Sequence, residues 1–515
     1  MGGRTFGKIS WMSEIELKFG IAATSVPGID RAMIGHGARS IGIESRYWDT
    51  PDLRLAQANL SLRLRKSRGR WEQTVKAAGS SPAERLEETV LRPAAGAEPQ
   101  PDLSLHAGTP AGHLLARALD ESPASATLAL IHTTRVRRRL LVVAWQGSEI
   151  EVAFDRGQVE AGGRSLPVCE VEAELKQGDA NDLIEFGRRS VDAHAMWLST
   201  LSKAARGHLL ARGSSDTPPA VKSRGPRFRD DASGHQIFHA AFLSCLDQVL
   251  ANASTVASGC ADDEVVHQLR VGLRRMRTVW HEMPDWRGDL TTSWLAPAVD
   301  VFRELGVDRD RRTVAAAMRQ PLLAAGSPDP DLRAPRGSHP VDVVELVRSR
   351  RFQHALLDML DFAVVPPGGD EADDRGRPPP DDDGESPRAA IARRLDKLHR
   401  GLARDAKRFA ELSIVERHGV RKRLKRLRYV TELVAPLFGN RAVARFLRAL
   451  GPAQDELGHY VELVVATRLA RDSAEAGDGR AWFNVGWLQA REAGAIRRCG
   501  VALREVAEAS AYWKR

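Results

Sequence analysis

Cysteine is scarce in this chain. Cys169, Cys245, Cys260 and Cys499 are scattered over 515 residues with no metal-ligand or redox spacing, which excludes a disulfide framework. Reduced thiols in a cytoplasmic protein are the plain expectation. Long apolar runs are missing too. No stretch of 18 apolar residues occurs, so nothing reads as a membrane-spanning helix, and the N-terminus lacks the apolar core of a signal peptide. A GxxxxGK[ST] loop is also absent, which excludes a P-loop NTPase. What the chain has in quantity is charge: 76 Lys and Arg against 67 Asp and Glu, a net +9. That excess favours an anionic partner without saying which, since nucleic acid, polyphosphate and a membrane surface all qualify.

The length exceeds what one core supports and implies two or three domains. Two polar stretches punctuate it. Gly213 to Arg229, rich in Pro and Ser, reads as a linker (213–229), and Pro366 to Arg388 is too polar to bury a core and reads as a disordered loop (366–388). Before the linker the segments "LSLRLRKS", "RWEQTVKA", "RLEETVL", "SEIEVAFDRGQV" and "CEVEAELK" are short and mostly alternating, the pattern of strands. From Gly234 onward the pattern turns helical, in halves 230–365 and 389–515. An α+β chain follows, with a β-rich domain over 12–212 and an all-α domain over 230–515.

The first strand carries the sharpest question. In "MSEIELKF" (Met12–Phe19), Ile15, Leu17 and Phe19 alternate with Glu14, Glu16 and Lys18. The two carboxylates stand one pleat repeat apart, near 7 Å, and at an effective dielectric near 20 repel by roughly 2 kcal/mol. The other strands repeat the theme with segregated signs. Arg63 and Arg65 alternate with Leu62 and Leu64, Lys76 opposes Val75, and Glu170 and Glu172 face away from Val171. Arg135, Arg137 and Arg139 share one parity, which Arg138 breaks. Single strands of this kind are usually solvent faces. As a set they fit a closed barrel with a charged lumen, where acidic walls hold a metal and basic walls its anionic partner. With no His or Cys among the carboxylates, Mg²⁺ or Mn²⁺ suits them better than zinc.

"EIELK", followed in order by "LRLR", "WEQTVK", "RLEE", "EVAFD", "CEVEAELK" and "LSKAARG", resembles the CYTH family, the triphosphate tunnel metalloenzymes. The chain is most similar to bacterial inorganic triphosphatases that carry a helical C-terminal domain. The resemblance implies a tunnel of eight antiparallel strands. Carried over by position, Glu14, Glu16, Glu170 and Glu172 would bind metal, with Glu14, Glu16 and Lys18 at the catalytic centre. Arg63, Arg65, Lys76, Arg135, Arg137 and Lys203 would grip phosphoryl oxygens, and Glu87, Glu151 and Asp155 are second candidates.

The helical half repeats one cationic face. "HQLRVGLRRMR" (His267–Arg277) and "HGVRKRLKRLR" (His418–Arg428) superpose without a gap, with basic residues at offsets 3, 7, 8 and 10 from each His. On a helical wheel His267, Arg270, Arg274 and Arg277 span an arc of about 80°; His418, Arg421, Lys425 and Arg428 repeat it. Like charges one turn apart weaken a helix unless an anion relieves them. "LGVDRD" and "LGPAQD" echo each other downstream. This resembles the CHAD domain, a conserved-histidine α-helical domain, and the resemblance implies polyphosphate binding by those eight residues.

The combined expectation is a cytoplasmic, metal-dependent inorganic triphosphatase with a polyphosphate-binding helical domain, for which polyphosphate granules are a candidate location. Thiamine-triphosphate hydrolysis or adenylate cyclisation in the same tunnel is the alternative within enzymes. A non-catalytic granule-binding protein is the alternative outside them. Nucleic acid is disfavoured because no aromatic platform interleaves the basic faces. Because every tunnel segment precedes residue 213, fragment 1–213 is expected to suffice for activity.

Overall fold

The computed structural model describes residues 12–78, 84–92, 99–119, 127–213, 218–287, 291–333, 341–364 and 386–514. The N-terminal residues 1–11 and most of the expected disordered loop lie outside them.

Nine strands form one antiparallel sheet: β1 (Met12–Gly20), β2 (Arg39–Asp49), β3 (Leu60–Ser67), β4 (Arg70–Ala78), β5 (Glu84–Leu91), β6 (Ala129–Trp145), β7 (Ser148–Ala161), β8 (Arg164–Gln177) and β9 (Trp197–Leu198). Their order is β5-β4-β3-β2-β6-β7-β8-β1-β9. The sheet closes on itself at β1, whose first residues pair with β5 and whose later ones pair with β8. Eight strands thus make the barrel. The ninth, only two residues long, extends β1 at its end. Three of the hairpins turn on two residues that are both left-handed, Arg68-Gly69, Gln146-Gly147 and Gly162-Gly163, the turn whose twist matches paired strands.

Helices α1 (Val26–Gly35), α2 (Arg54–Gln57), α3 (Pro110–Ala118), α4 (Ala180–His194) and α5 (Lys203–Ala211) accompany the barrel. The barrel is apolar outside and charged inside, so its outer walls need cover. On one side Leu62, Leu64 and Val75 pack with Leu55 of α2 and Ala111 and Leu115 of α3. On the other, Leu17, Phe19, Val152, Phe154 and Val171 join Leu183, Ile184 and Val191 of α4 in a core that continues into the C-terminal helices.

Those helices are α6 (Gly234–Ala257), α7 (Asp263–Glu282), α8 (Leu295–Ala324), α9 (Val343–Arg348), α10 (Arg350–Val364), α11 (Pro387–Lys407), α12 (Ile414–Leu433), α13 (Asn440–Glu475) and α14 (Ala481–Glu508). The duplication seen in the sequence is structural. Each basic helix has 20 residues, with His267 and His418 at the same place from its start, and each precedes a long helix with an internal proline, Pro321 or Pro452. The contact between barrel and helices is close. Gln353 Oε1 accepts from the buried Leu198 N–H at 2.8 Å, Arg188 pairs with Asp358 at 2.8 Å, and the Arg348 guanidinium lies 3.9 Å from the Trp197 ring centre. Backbone and side chains also meet tightly there: a Cβ on Gly187 of α4 would come within 3.3 Å of Leu357 of α10.

Candidate functional site

A cavity of about 1630 Å³ in all opens into the barrel, where it is lined by Glu16, Lys18, Arg63, Arg65, Lys76, Glu87, Arg138, Glu151, Asp155, Glu172, Glu174 and Lys203. Strand pairing sets them in rows. Arg138 lies opposite Asp155, and Asp155 opposite Glu170. In the next row Lys18 faces Glu172, and in the one after Glu16 faces Glu174, itself opposite Glu151. Because side chains alternate across a strand, these rows present their charges to one lumen.

Helix α5 lies against the inner walls of β6, β7 and β8. Ser202 caps it, its hydroxyl accepting from Ala205 N at 3.1 Å, and this places Lys203 at the first helical position. The Lys203 ammonium reaches Glu170 at 2.5 Å, Asp155 at 2.7 Å and Glu172 at 3.0 Å. Arg138 bridges Asp155 at 2.7 Å and Glu172 at 2.6 Å, Lys18 sits 3.2 Å from Glu172, and Arg206 reaches Glu170 at 3.1 Å. Burial alone would lower the Lys203 ammonium, but Glu170, Glu172 and Asp155 hold it above its ordinary value. Burial likewise favours a neutral Glu172, yet Lys203, Lys18 and Arg138 keep it well below the carboxylate range. Glu172 is therefore ionised at neutral pH. Oxygens of Asp155, Glu170 and Glu172 lie within 4.8 Å of one another. An all-oxygen set of that size fits a hard divalent cation.

The opposite wall is cationic. Glu87 accepts from Arg63 at 3.0 Å and pairs with Lys76; against the effect of burial, those two cations pull it down to about 2. Arg65 differs. It is half-buried among like charges, and desolvation followed by Arg63 and Arg138 pushes it down to about 10. Among the described residues no carboxylate stands within ion-pair distance of it. A guanidinium so placed is poised for an anion.

The expected residues divide accordingly. Glu16, Lys18, Arg63, Arg65, Lys76, Glu172 and Lys203 come together in the cavity, with Glu170 behind Lys203. Glu14 lies on β1 opposite Arg85, its side chain outside the described ones. Arg135 and Arg137 are corrected: both point outward, Arg135 towards Glu160 and Glu44. Arg138 takes the inward place. On β6 the inward parity belongs to His132, Thr134, Val136 and Arg138, and only the last is a cation, so counting arginines selects the wrong face. Alternation puts Glu174 on the face of Glu170 and Glu172, but sequence reasoning passes over Arg206 and Tyr47, which stacks on His132 at 4.4 Å.

The position of α5 rests on a missing side chain. A Cβ on Gly207 would meet His132 Cδ2 at 2.0 Å. Gly→Ala inside a helix ordinarily stabilises by up to about 1 kcal/mol. Gly207→Ala is expected instead to destabilise by about 1–3 kcal/mol and to impair any activity that uses Lys203. A thermal melt checks the reversed sign.

In the helical half, the Arg270, Arg274 and Arg277 guanidiniums gather about the Phe302 ring at 5.3, 5.1 and 5.8 Å. Burial lowers the His418 imidazole, and Lys422, Arg421, Lys425 and then Arg274 of the facing helix lower it further. The two basic faces therefore meet. His267 stands one turn before Arg270, half-buried. Arg428 is partly neutralised by Glu432 at 2.7 Å. The cations at offset 8 hold the two helices together instead: Arg275 pairs with Glu432 of α12, and Arg426 pairs with Glu282 of α7 at 3.2 Å.

Comparison with known proteins matches this division. A CYTH domain model matches residues 12–208 and a CHAD domain model residues 240–471. An inorganic triphosphatase of Haemophilus influenzae is 30% identical over 206 residues, which are 39% of this chain and 55% of that protein. The chain thus spans about half the length of this curated relative. Among solved structures, the CHAD domain from the plant Ricinus communis is 23% identical, with a TM-score of 0.40, covering 55% of this chain and 96% of that one. A Hippeastrum protein with a dominant triphosphatase activity is 14% identical, with a TM-score of 0.30, covering 39% of this chain and 96% of that one. The chain carries a CYTH domain followed by a CHAD domain.

Proposed function

We propose that the tunnel hydrolyses inorganic triphosphate with the help of a divalent cation, and that the paired basic helices bind polyphosphate. The observation that carries the first part is the meeting of Arg63, Arg65, Lys76 and Arg138 with a buried carboxylate trio in one lumen. Triphosphate carries several negative charges, and each charge-assisted hydrogen bond to it is worth about 1.5–3 kcal/mol. Arg65 makes the strongest claim on it, having no carboxylate to leave. Phosphoryl transfer asks mainly for positioning and charge stabilisation, and cations fixed on a closed barrel supply both without reorganising.

Asp155, Glu170 and Glu172, with Glu16 nearby, would hold Mg²⁺ or Mn²⁺, which supplies charge neutralisation and a water of lowered pKa. Lys203 shares those oxygens, so its ammonium is the group free to follow the phosphate when the carboxylates are otherwise engaged. The Haemophilus relative's name supports the choice of inorganic triphosphate among possible substrates. A panel of tripolyphosphate, thiamine triphosphate and ATP with Mg²⁺ or Mn²⁺, scored by released phosphate, tests it. Tripolyphosphate is expected to be the best substrate, and turnover of ATP alone overturns the reading.

The second part rests on the converging faces of α7 and α12. Arg274→Gln, Arg421→Gln and Lys425→Gln together are expected to weaken long-chain polyphosphate binding and spare tripolyphosphate hydrolysis. The salt slope of binding should fall by roughly one for each phosphate that the variant no longer neutralises. Retention on a gel against duplex DNA at matched salt reads both effects, and equal retention of the two polymers reduces the face to a generic basic surface.

A further inference from the structure

The cavity that holds the tunnel site does not end at the barrel rim. Beyond Thr200 and Ser202 it continues between α6 and residues 221–227, where Lys222, Arg224 and Arg227 line it. Its volume of about 1630 Å³ exceeds the roughly 300–1,000 Å³ usual for sites that enclose a small ligand. A triphosphate seated among Arg63, Arg65 and Lys203 leaves this end unfilled.

The segment read as a linker is not a free tether. Val221 N donates to Asn252 Oδ1 at 3.1 Å, and Asn252 Nδ2 donates back to Val221 O at 2.9 Å. The Ser244 hydroxyl donates to the Arg224 carbonyl, and Pro226 is buried. These hydrogen bonds pin the backbone to α6 along the run of three cations, so presenting them loses little freedom when an anion arrives. Arg229, further along, is paired with Asp231 at 2.9 Å. Among the described residues Lys222, Arg224 and Arg227 have no carboxylate within ion-pair distance. Among the described residues no Phe, Tyr or Trp lines this end of the cavity and His239 is its one aromatic ring, which leaves little stacking surface for a nucleobase.

We infer that Lys222, Arg224 and Arg227 form a distal subsite of the tunnel that takes the phosphates beyond the third of a linear inorganic polyphosphate. The inference rests on the triphosphate reading and extends it: the linker, held on α6 of the helical domain, completes the site and selects chain length.

The test uses the full chain with Lys222→Gln, Arg224→Gln and Arg227→Gln combined. The three side chains are exposed, so folding is expected to be unaffected. Hydrolysis of tripolyphosphate should keep its kcat and KM. The KM for a longer linear polyphosphate should rise about tenfold, with kcat unchanged. Equal KM shifts for the two chains, or none for either, overturn the subsite, as does a selective loss for ATP. If the wild-type chain releases phosphate from neither polymer, the hydrolase reading fails by itself. Calorimetric titration with the same two polymers then decides the subsite: a variant without the preference for the longer chain upholds it, and unchanged preference refutes it.

Discussion

Glu172→Gln is expected to lower kcat for tripolyphosphate by about 10²–10³-fold while the protein stays folded. The substitution keeps the shape and removes one charge. Lys18, Arg138 and Lys203 all touch this carboxylate, and once it is neutral they are freer to hold substrate phosphates. KM should therefore stay level or fall. That split separates impaired chemistry from impaired binding. Glu16→Gln, on the neighbouring row, should act in the same direction. Steady-state kinetics with a melting curve for each variant checks this, and wild-type turnover in both would sink the metal-assisted tunnel.

Ending the chain at Gly213 is expected to remove most of the barrel's stability. The sequence suggests the opposite, because every strand motif precedes that point. Yet the outer wall made by Leu17, Phe19, Val171 and α4 is covered by the C-terminal helices in one continuous core. Without Gln353, the Leu198 N–H loses its buried acceptor, at about 1–3 kcal/mol. Leu357 would also no longer lie against Gly187. The exposed apolar wall should make fragment 1–213 aggregate or melt far below the full chain. A soluble fragment with the full chain's urea midpoint would show that the wall needs no cover.

Alternation made much of the lumen legible. Leu62 and Leu64 must leave water, so Arg63 and Arg65 between them turn the other way, and the same logic sends Lys76 inward opposite Val75. It misled on β6, where Arg135, Arg137 and Arg139 outnumber Arg138 but lie outside, Arg135 beside Glu160 and Arg139 at 2.5 Å from Asp30. Periodicity alone carries no sign for which face is interior. The closure of β1 on β5, the seating of α5 inside the barrel and the pinning of residues 221–227 on α6 join distant segments. No local pattern encodes them. The duplicated basic helices were legible as a repeat, but not the reciprocal pairing of Arg275 and Arg426 with Glu432 and Glu282.

The shared core also sets a timetable for synthesis. Leu198 and the Gln353 side chain that satisfies it are 155 residues apart. At about 5–20 residues per second, a ribosome needs roughly 8–30 s to make the second after the first. Throughout that interval all nine strands have been made while one apolar wall has no partner. A nascent chain in this state presents the surface that chaperones bind, and its yield should depend on them more steeply than that of a barrel whose cover precedes it in the sequence.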